Sequence, residues 1–242
     1  MENVVADALI KVAPVIAMLL LALVVHRSRD LGVVALVAGL YFIDYVFLRI
    51  SDWAPWTHPW ETHWNWSGKI ASVLLALAVL AIGPRVLADR IGLFRIPPVA
   101  TWFPLLLVAG VYLGGRAYLL SVNGGHAFDE GSVLYQATMP GIDEELWFRG
   151  ILWVLIAASL EPDRLEGGGV PWLTLLITTF WFGWVHAASA DASSFTINWE
   201  AFIWPAASGL CFALLQGIGR AVWLPILTHN ASNAMGWLGL FR

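Results

Sequence analysis

Cysteine is nearly absent: Cys211 is the only one among 242 residues. An intrachain disulfide and a cysteine metal cluster are therefore excluded, and a lone Cys in an apolar run reads as a small core or lipid-facing residue. Charge is also scarce. Asp, Glu, Lys and Arg make up 12% of the chain, where a soluble domain carries about a quarter. The net charge of -4 is modest and no basic patch offers a footing for nucleic acid. No internal repeat of about 20–50 residues is visible, and no low-complexity tract. His-Glu-x-x-His, the usual zincin spacing, does not occur. A cleavable leader is not indicated either. Glu2, Asp7 and Lys11 precede the first apolar run, Val12 to Val25, and His26-Arg27-Ser28-Arg29-Asp30 follows it without a small-residue cleavage site. That run reads as a retained first span.

What the chain has instead is apolar length. Hydrophobic residues make up 59%, mean hydropathy is +0.73, and fifteen tryptophans suit a membrane–water interface. The expected fold is all-α: a polytopic transmembrane helix bundle of about eight spans, with any active site inside it. The runs fall near 8–25, 31–50, 68–88, 101–120, 141–160, 170–190, 200–217 and 221–241. We divide this one integral membrane domain into N-terminal helices, 1–94, and a helical core, 95–242. The Gly- and Pro-rich break at 161–169 reads as a loop rather than a domain linker. Loop cations favour an outside N-terminus, with Arg27, Arg29, Arg85, Arg90, Arg95, Arg164 and Arg220 inside and Lys11, Arg49, Lys69 and Arg242 outside.

Three apolar segments of the second half carry side chains that lipid-facing helices avoid. Gly141-Ile142-Asp143-Glu144-Glu145-Leu146-Trp147-Phe148-Arg149-Gly150 brings three acids and an arginine. Glu145 and Arg149 are i,i+4 neighbours in the order that favours an ion pair, structural or functional. Glu144 is turned by about 100° and points elsewhere. Phe182 and His186 lie one turn apart, as do His229 and Asn233. The bland readings are a buried ion pair, a packed histidine and interhelical hydrogen bonding. Together, though, these segments supply two carboxylates, two imidazoles and a carboxamide. Such a set suits hydrolysis, with a carboxylate as base and His and Asn as oxyanion donors. Equally, Glu144, His186 and His229 could hold zinc with one position open. Two adjacent carboxylates in one dry cavity should not both ionise easily.

Other positions are weaker candidates. His58, Glu61 and His63 lie in a Trp-rich stretch, 51–66, whose tryptophans argue for an interfacial segment or a lid rather than a metal site. Asp44 is expected to face the bundle and to pair with Arg49 or Arg116. Gly110-x-x-x-Gly114 is expected to permit close helix packing. Gly141 and Gly150 are expected to relax the helix or admit a neighbour.

The motifs Glu144-Glu145-x-x-x-Arg149, Phe182-x-x-x-His186 and His229-x-x-x-Asn233, in that order, resemble the CPBP family: the type II, Rce1-like CAAX prenyl proteases and the bacteriocin-processing or Abi proteins. The resemblance covers roughly residues 95–241. It implies an intramembrane endopeptidase acting on a peptide or protein substrate, prenylated or a leader peptide, amid membrane lipids. By the resemblance, Glu144 and His186 activate water, Glu145 supports them, Arg149 orients or neutralises Glu145, and His229 and Asn233 hold the oxyanion, with Phe182 as a supporting residue. A cofactor is not favoured, and zinc is the alternative. The expected location is a bacterial plasma (inner) membrane. Two competing readings stand beside this one: a proton-coupled transporter and a non-catalytic immunity protein.

Overall fold

A computed structural model describes residues 2–26, 30–54, 63–190 and 194–241. Helix α1 runs Glu2–Val25 and α2 runs Leu31–Leu48, opened by the Asp30 side chain accepting from Val33 N. A short α3, Ile50–Trp53, precedes α4, Trp66–Ile82, which Asn65 caps in the same way. The expected helix over 68–88 is split. Gly83 is extended because Pro84 follows it, and the chain restarts as α5, Arg85–Ile91. Helix α6 is Trp102–Asn123 and α7 is Glu130–Gln136, capped by Asp129. The expected helix over 141–160 is present, with a π turn inside it. It comprises α8, Met139–Glu145, a π-helical turn over Leu146–Ile151, and α9, Leu152–Leu160. After α10, Pro162–Gly167, come α11, Trp172–Ala187, a small antiparallel hairpin of β1, Ala188–Ala190, and β2, Phe195–Ile197, then α12, Glu200–Gly219, and α13, Trp223–Met235.

The architecture is the all-α bundle that the sequence implies. Four helices among the described residues are long and apolar enough to cross a membrane: Val4–Val25, Leu31–Leu48, Val99–Asn123 and Glu200–Gly219. Trp66–Ile82 is apolar but shorter. The expectation of about eight spans counted apolar runs whose helices are shorter or broken. The 13 residues of α13 reach about 20 Å, less than the roughly 30 Å of hydrocarbon.

The core runs between α1, α2, α9, α11 and α12 and includes the fully buried Trp147, Trp181 and Phe212. Helices α11 and α12 approach closely at Gly183, where a Cβ would come within 2.8 Å of that of Ala206. Nothing lies within 4 Å of a Cβ placed at Gly110 or Gly114. That pair therefore does not serve packing within the bundle, because α6 turns this face outward beside exposed Val111. Of the cations used for orientation, Arg27, Arg29 and Arg242 lie outside the described residues. Lys11 and Lys69 are buried, so neither is a loop charge. In the Trp-rich stretch, His58 and Glu61 also lie outside the described residues, while His63 approaches Ser132 Oγ at 3.1 Å.

Candidate active site

Helix α8 is fixed against α13 one turn before its acids. Asn230 Nδ2 donates to Thr138 O at 3.0 Å, and its Oδ1 accepts from Gly141 N at 2.7 Å. A Cβ at Gly141 would stand 2.5 Å from that Oδ1 and 2.7 Å from Ile226 O. Only glycine lets the two helices meet there, so Gly141 admits a neighbour as expected. At Gly150 a Cβ would meet Ile91 at an ordinary 3.5 Å. Successive helical residues diverge by about 100°. Glu144 and Glu145 consequently enter different surroundings.

Glu145 is fully enclosed. His229 Nδ1 lies 2.8 Å from its Oε1 and Arg149 Nη1 lies 3.2 Å from its Oε2. A carboxylate only accepts, so His229 carries its proton on Nδ1 and leaves Nε2 uncommitted by this bond. Arg149 is buried as well. Its Nη2 donates to Gly209 O at 2.9 Å, and its guanidinium carbon sits 4.3 Å from the centre of the Phe182 ring, with Phe148 and Phe212 on other sides. A Cβ at Gly209 would come within 2.9 Å of Arg149 Nη2, so glycine there makes room for the cation. Such aromatic faces suit a guanidinium.

Glu144 is less enclosed, and its cation comes from the N-terminal half. Lys69 Nζ lies 2.7 Å from Glu144 Oε1 and 2.7 Å from Asp143 Oδ2. Behind it the Ser72 hydroxyl sits between Asp143 and Asp44 and accepts from Trp147 Nε1 at 2.9 Å. The other Glu144 oxygen, Oε2, is buried without a hydrogen-bond partner among the described residues and faces His186 Nε2 across 3.9 Å. His186 Nδ1 is 2.7 Å from Phe182 O. A carbonyl can only accept, so Nδ1 holds the proton and Nε2 of the neutral ring is an acceptor. Helix α1 fixes the end of α11 that bears His186, because Lys11 Nζ donates to Val185 O and Ala188 O at 2.6 Å each.

Two expectations change. The adjacent glutamates do not share one environment: Lys69 stands beside Glu144 and Arg149 beside Glu145. Asp44 faces the bundle, but its partner is Ser72 rather than an arginine. Arg49 pairs with Asp52, and Arg116 lies over Trp204. Sequence reasoning overlooked Lys69, Ser72, Lys11 and Asn230. Lys69 did carry a signal: it stands in an apolar helix with no acid three or four residues away to pair with it.

A cavity of about 470 Å³ unites Glu144, Phe182, His186, His229 and Asn233 with Lys69 and Arg116. Trp64, Tyr112, Tyr135, Trp204 and Trp237 give it aromatic walls. Glu145 and Arg149 stand behind it. The cavity lies within the helices, and a smaller one of about 120 Å³ on the other side of Glu144 reaches Lys11, Tyr41 and Asp44. Among the described residues no three His, Cys, Asp or Glu converge as ligands. His229 is held by Glu145, and Lys69 already neutralises Glu144.

Residues 131–235 match the family model of Rce1-like type II CAAX prenyl endopeptidases. They form an Rce1-like domain. This agrees with the CPBP resemblance, over a narrower stretch than 95–241. No curated protein and no solved structure matches the chain. The Rce1-like match implies a protease and suggests a CAAX-type intramembrane activity, whose family acts on peptide or prenylated protein substrates. With the apolar helices it makes the chain an integral membrane protein. Glu144, Glu145, Arg149, Phe182, His186, His229 and Asn233 all lie inside the Rce1-like domain. Lys11, Asp44, Lys69, Ser72 and Arg116 lie outside it.

Proposed function

We propose that this protein is an intramembrane endopeptidase that hydrolyses a peptide bond with a glutamate-activated water. The carrying observation is the unpartnered Glu144 Oε2 facing His186 Nε2 across 3.9 Å, in the cavity that His229 and Asn233 also line. Both atoms are acceptors and too far apart to bond each other. A water between them donates one hydrogen to each and turns a lone pair outward. As that oxygen bonds to the carbonyl carbon of the substrate, Glu144 takes one of its protons. The carbonyl oxygen becomes an oxyanion, and Asn233 Nδ2 and His229 Nε2 are the donors on offer. Since Glu145 accepts from Nδ1, His229 donates through Nε2 only when it holds both protons. The carbon–nitrogen bond then breaks, and the proton held by Glu144 passes to the departing amine. Lys69 keeps Glu144 an acceptor, and Glu145 with Arg149 holds His229. The substrate in this reading is a peptide or protein C-terminus of the CAAX type, or a leader peptide. The 1–94 helices and the 95–242 core act as one unit.

The direct test is hydrolysis of a prenylated CAAX peptide and of leader peptides by the protein purified in detergent. Glu144→Gln should lower kcat by about a thousandfold, within the usual worth of a general base, and strong chelators should leave the wild-type rate intact. Full activity in Glu144→Gln would refute the base. Loss of activity on chelation, restored by zinc, would return the site to metal chemistry. Proton flux in liposomes without any cleavage would point to a transporter.

A further inference from the structure

One charged side chain of the cavity has no part in the chemistry above. Arg116 projects from α6, outside the Rce1-like domain, and lines the same cavity as Glu144 and His186. The other cations beside the acids are committed, Lys69 to Asp143 and Glu144 and Arg149 to Glu145. Among the described residues no acid pairs with Arg116. Its guanidinium carbon lies 5.6 Å from the centre of the Trp204 ring. One nitrogen is close enough to the backbone at Gly236 that a Cβ there would come within 3.3 Å. The side chain is half-buried.

A guanidinium held partly out of water without a counter-ion is costly, and an arriving anion removes that cost. The planar fork of N–H donors matches a carboxylate in two parallel hydrogen bonds. A doubly charged anion is disfavoured because the Glu144 carboxylate shares the cavity. A peptide bound for hydrolysis brings a single-charge carboxylate of its own. We propose that Arg116 is the carboxylate anchor of this cavity: it grips the C-terminal carboxylate of the substrate and so determines which peptide bond lies between Glu144 and His186. An extended chain advances at most about 3.6 Å per residue. An anchor at a fixed distance therefore sets the cut at a fixed number of residues from the C-terminus. Trp204 holds the guanidinium in place, while Trp64 and Trp237 line the same cavity.

This inference rests on the endopeptidase reading, and its test separates the two. Full-length protein in detergent is incubated with a mixed-sequence peptide library bearing free C-termini, and with the same library amidated. Cut sites are mapped by mass spectrometry, with Glu144→Gln as the background. For the wild type, free-acid peptides should be cut with a kcat/KM about tenfold to a hundredfold higher than their amides, mostly through KM and at a constant distance from the C-terminus. Arg116→Gln should bring that ratio close to one, and Arg116→Lys should leave an intermediate ratio. The ratio within one variant does not depend on how much of it folds. Amides cut only where an Asp or Glu side chain stands at the fixed distance, and no longer so in Arg116→Gln, would keep the anchor and name a side chain as the source of the carboxylate. Equal cutting of both libraries by the wild type, or a preference that survives Arg116→Gln, would overturn the anchor and leave the peptidase standing. No cutting above background in either library would overturn the peptidase and the anchor together.

Discussion

Glu144 with His186 and Glu145 with His229 are two acid–imidazole pairs that start from neighbouring residues and end in different environments. The second is tight, 2.8 Å, and enclosed, with Arg149 closing it from behind. The first is loose, 3.9 Å, and opens on the cavity, with an oxygen that has no hydrogen-bond partner and no cation beside it among the described residues. Oε2 of Glu145 likewise lacks a hydrogen bond among the described residues, but it lies 3.2 Å from Arg149 in a closed site, whereas Oε2 of Glu144 belongs to a residue that lines the cavity and is within reach of a reactant. The cations differ in origin too. Arg149 lies inside the Rce1-like domain, four residues from its acid, while Lys69 reaches Glu144 from a helix of the N-terminal half. In the proposed reaction the tight pair is framework for His229, and the loose pair is where water and substrate would meet.

The sharpest way to break this contrast is to remove the framework cation. Arg149→Met leaves the Glu145 carboxylate buried without its cation. We expect a destabilisation of about 3–5 kcal/mol, the usual result of breaking a buried pair from one side. Denaturant unfolding in mixed micelles, or a thermal melt, would measure it. A variant that unfolds like the parent but hydrolyses nothing would instead put Arg149 among the reacting groups.

Removing the other cation should act on rate more than on fold. Lys69→Met takes away the two 2.7 Å bonds that hold Asp143 and Glu144. Charge-assisted hydrogen bonds are worth about 1.5–3 kcal/mol each. Only part of that concerns the orientation of Glu144, so kcat should fall about tenfold to a hundredfold. The melting temperature should move less than in Arg149→Met. If Lys69→Met keeps its full kcat, the N-terminal helices are packing alone, and residues 1–94 and 95–242 divide into support and catalyst.

The two pairs were also unequally legible in the sequence. Glu145–Arg149 and His229–Asn233 could be read because helical neighbours recur at i+4 and because polar groups in apolar helices demand a reason. A shared site for Glu144, His186, His229 and Asn233 was expected from polar residues recurring in three apolar segments and from the resemblance, and the four line one cavity. The partner of Glu144 was hidden for a physical reason. Lys69 stands 75 positions away in the chain, and no local spacing encodes which helix face meets which. The same holds for Lys11, which grips the end of α11 across 174 residues. The π turn after Glu145 changes the hydrogen-bond register without any particular residue to announce it. The end of α4 at Gly83-Pro84 was readable in principle, since a proline bars helix at the residue before it; the apolar run on either side masked it. The difference between about eight expected spans and the four described helices long and apolar enough to cross has a similar origin. Hydropathy sees apolar length, but α13 stops after 13 residues and the 68–88 run is divided at Gly83.

The smallest expected effect probes how far the loose pair extends into the N-terminal half. Ser72 touches both Asp44 and Asp143 and also accepts from Trp147 Nε1. A hydroxyl has one hydrogen to give and two lone pairs to receive. One acid can accept that hydrogen, and the other must bring a hydrogen of its own. Asp143 faces Lys69 and is the natural acceptor, which leaves Asp44 on the donating side. An amide supplies such a hydrogen without a charge. Asp44→Asn should therefore cost at most about threefold in kcat, roughly 0.6 kcal/mol. Asp143→Asn, which weakens the hold of Lys69, should cost several times more. Parallel rate measurements on the two variants decide it. If Asp44→Asn is as damaging as Lys69→Met, the negative charge of Asp44 itself is needed, and the water-activating pair draws on a charged network that runs through α2 as well as α4.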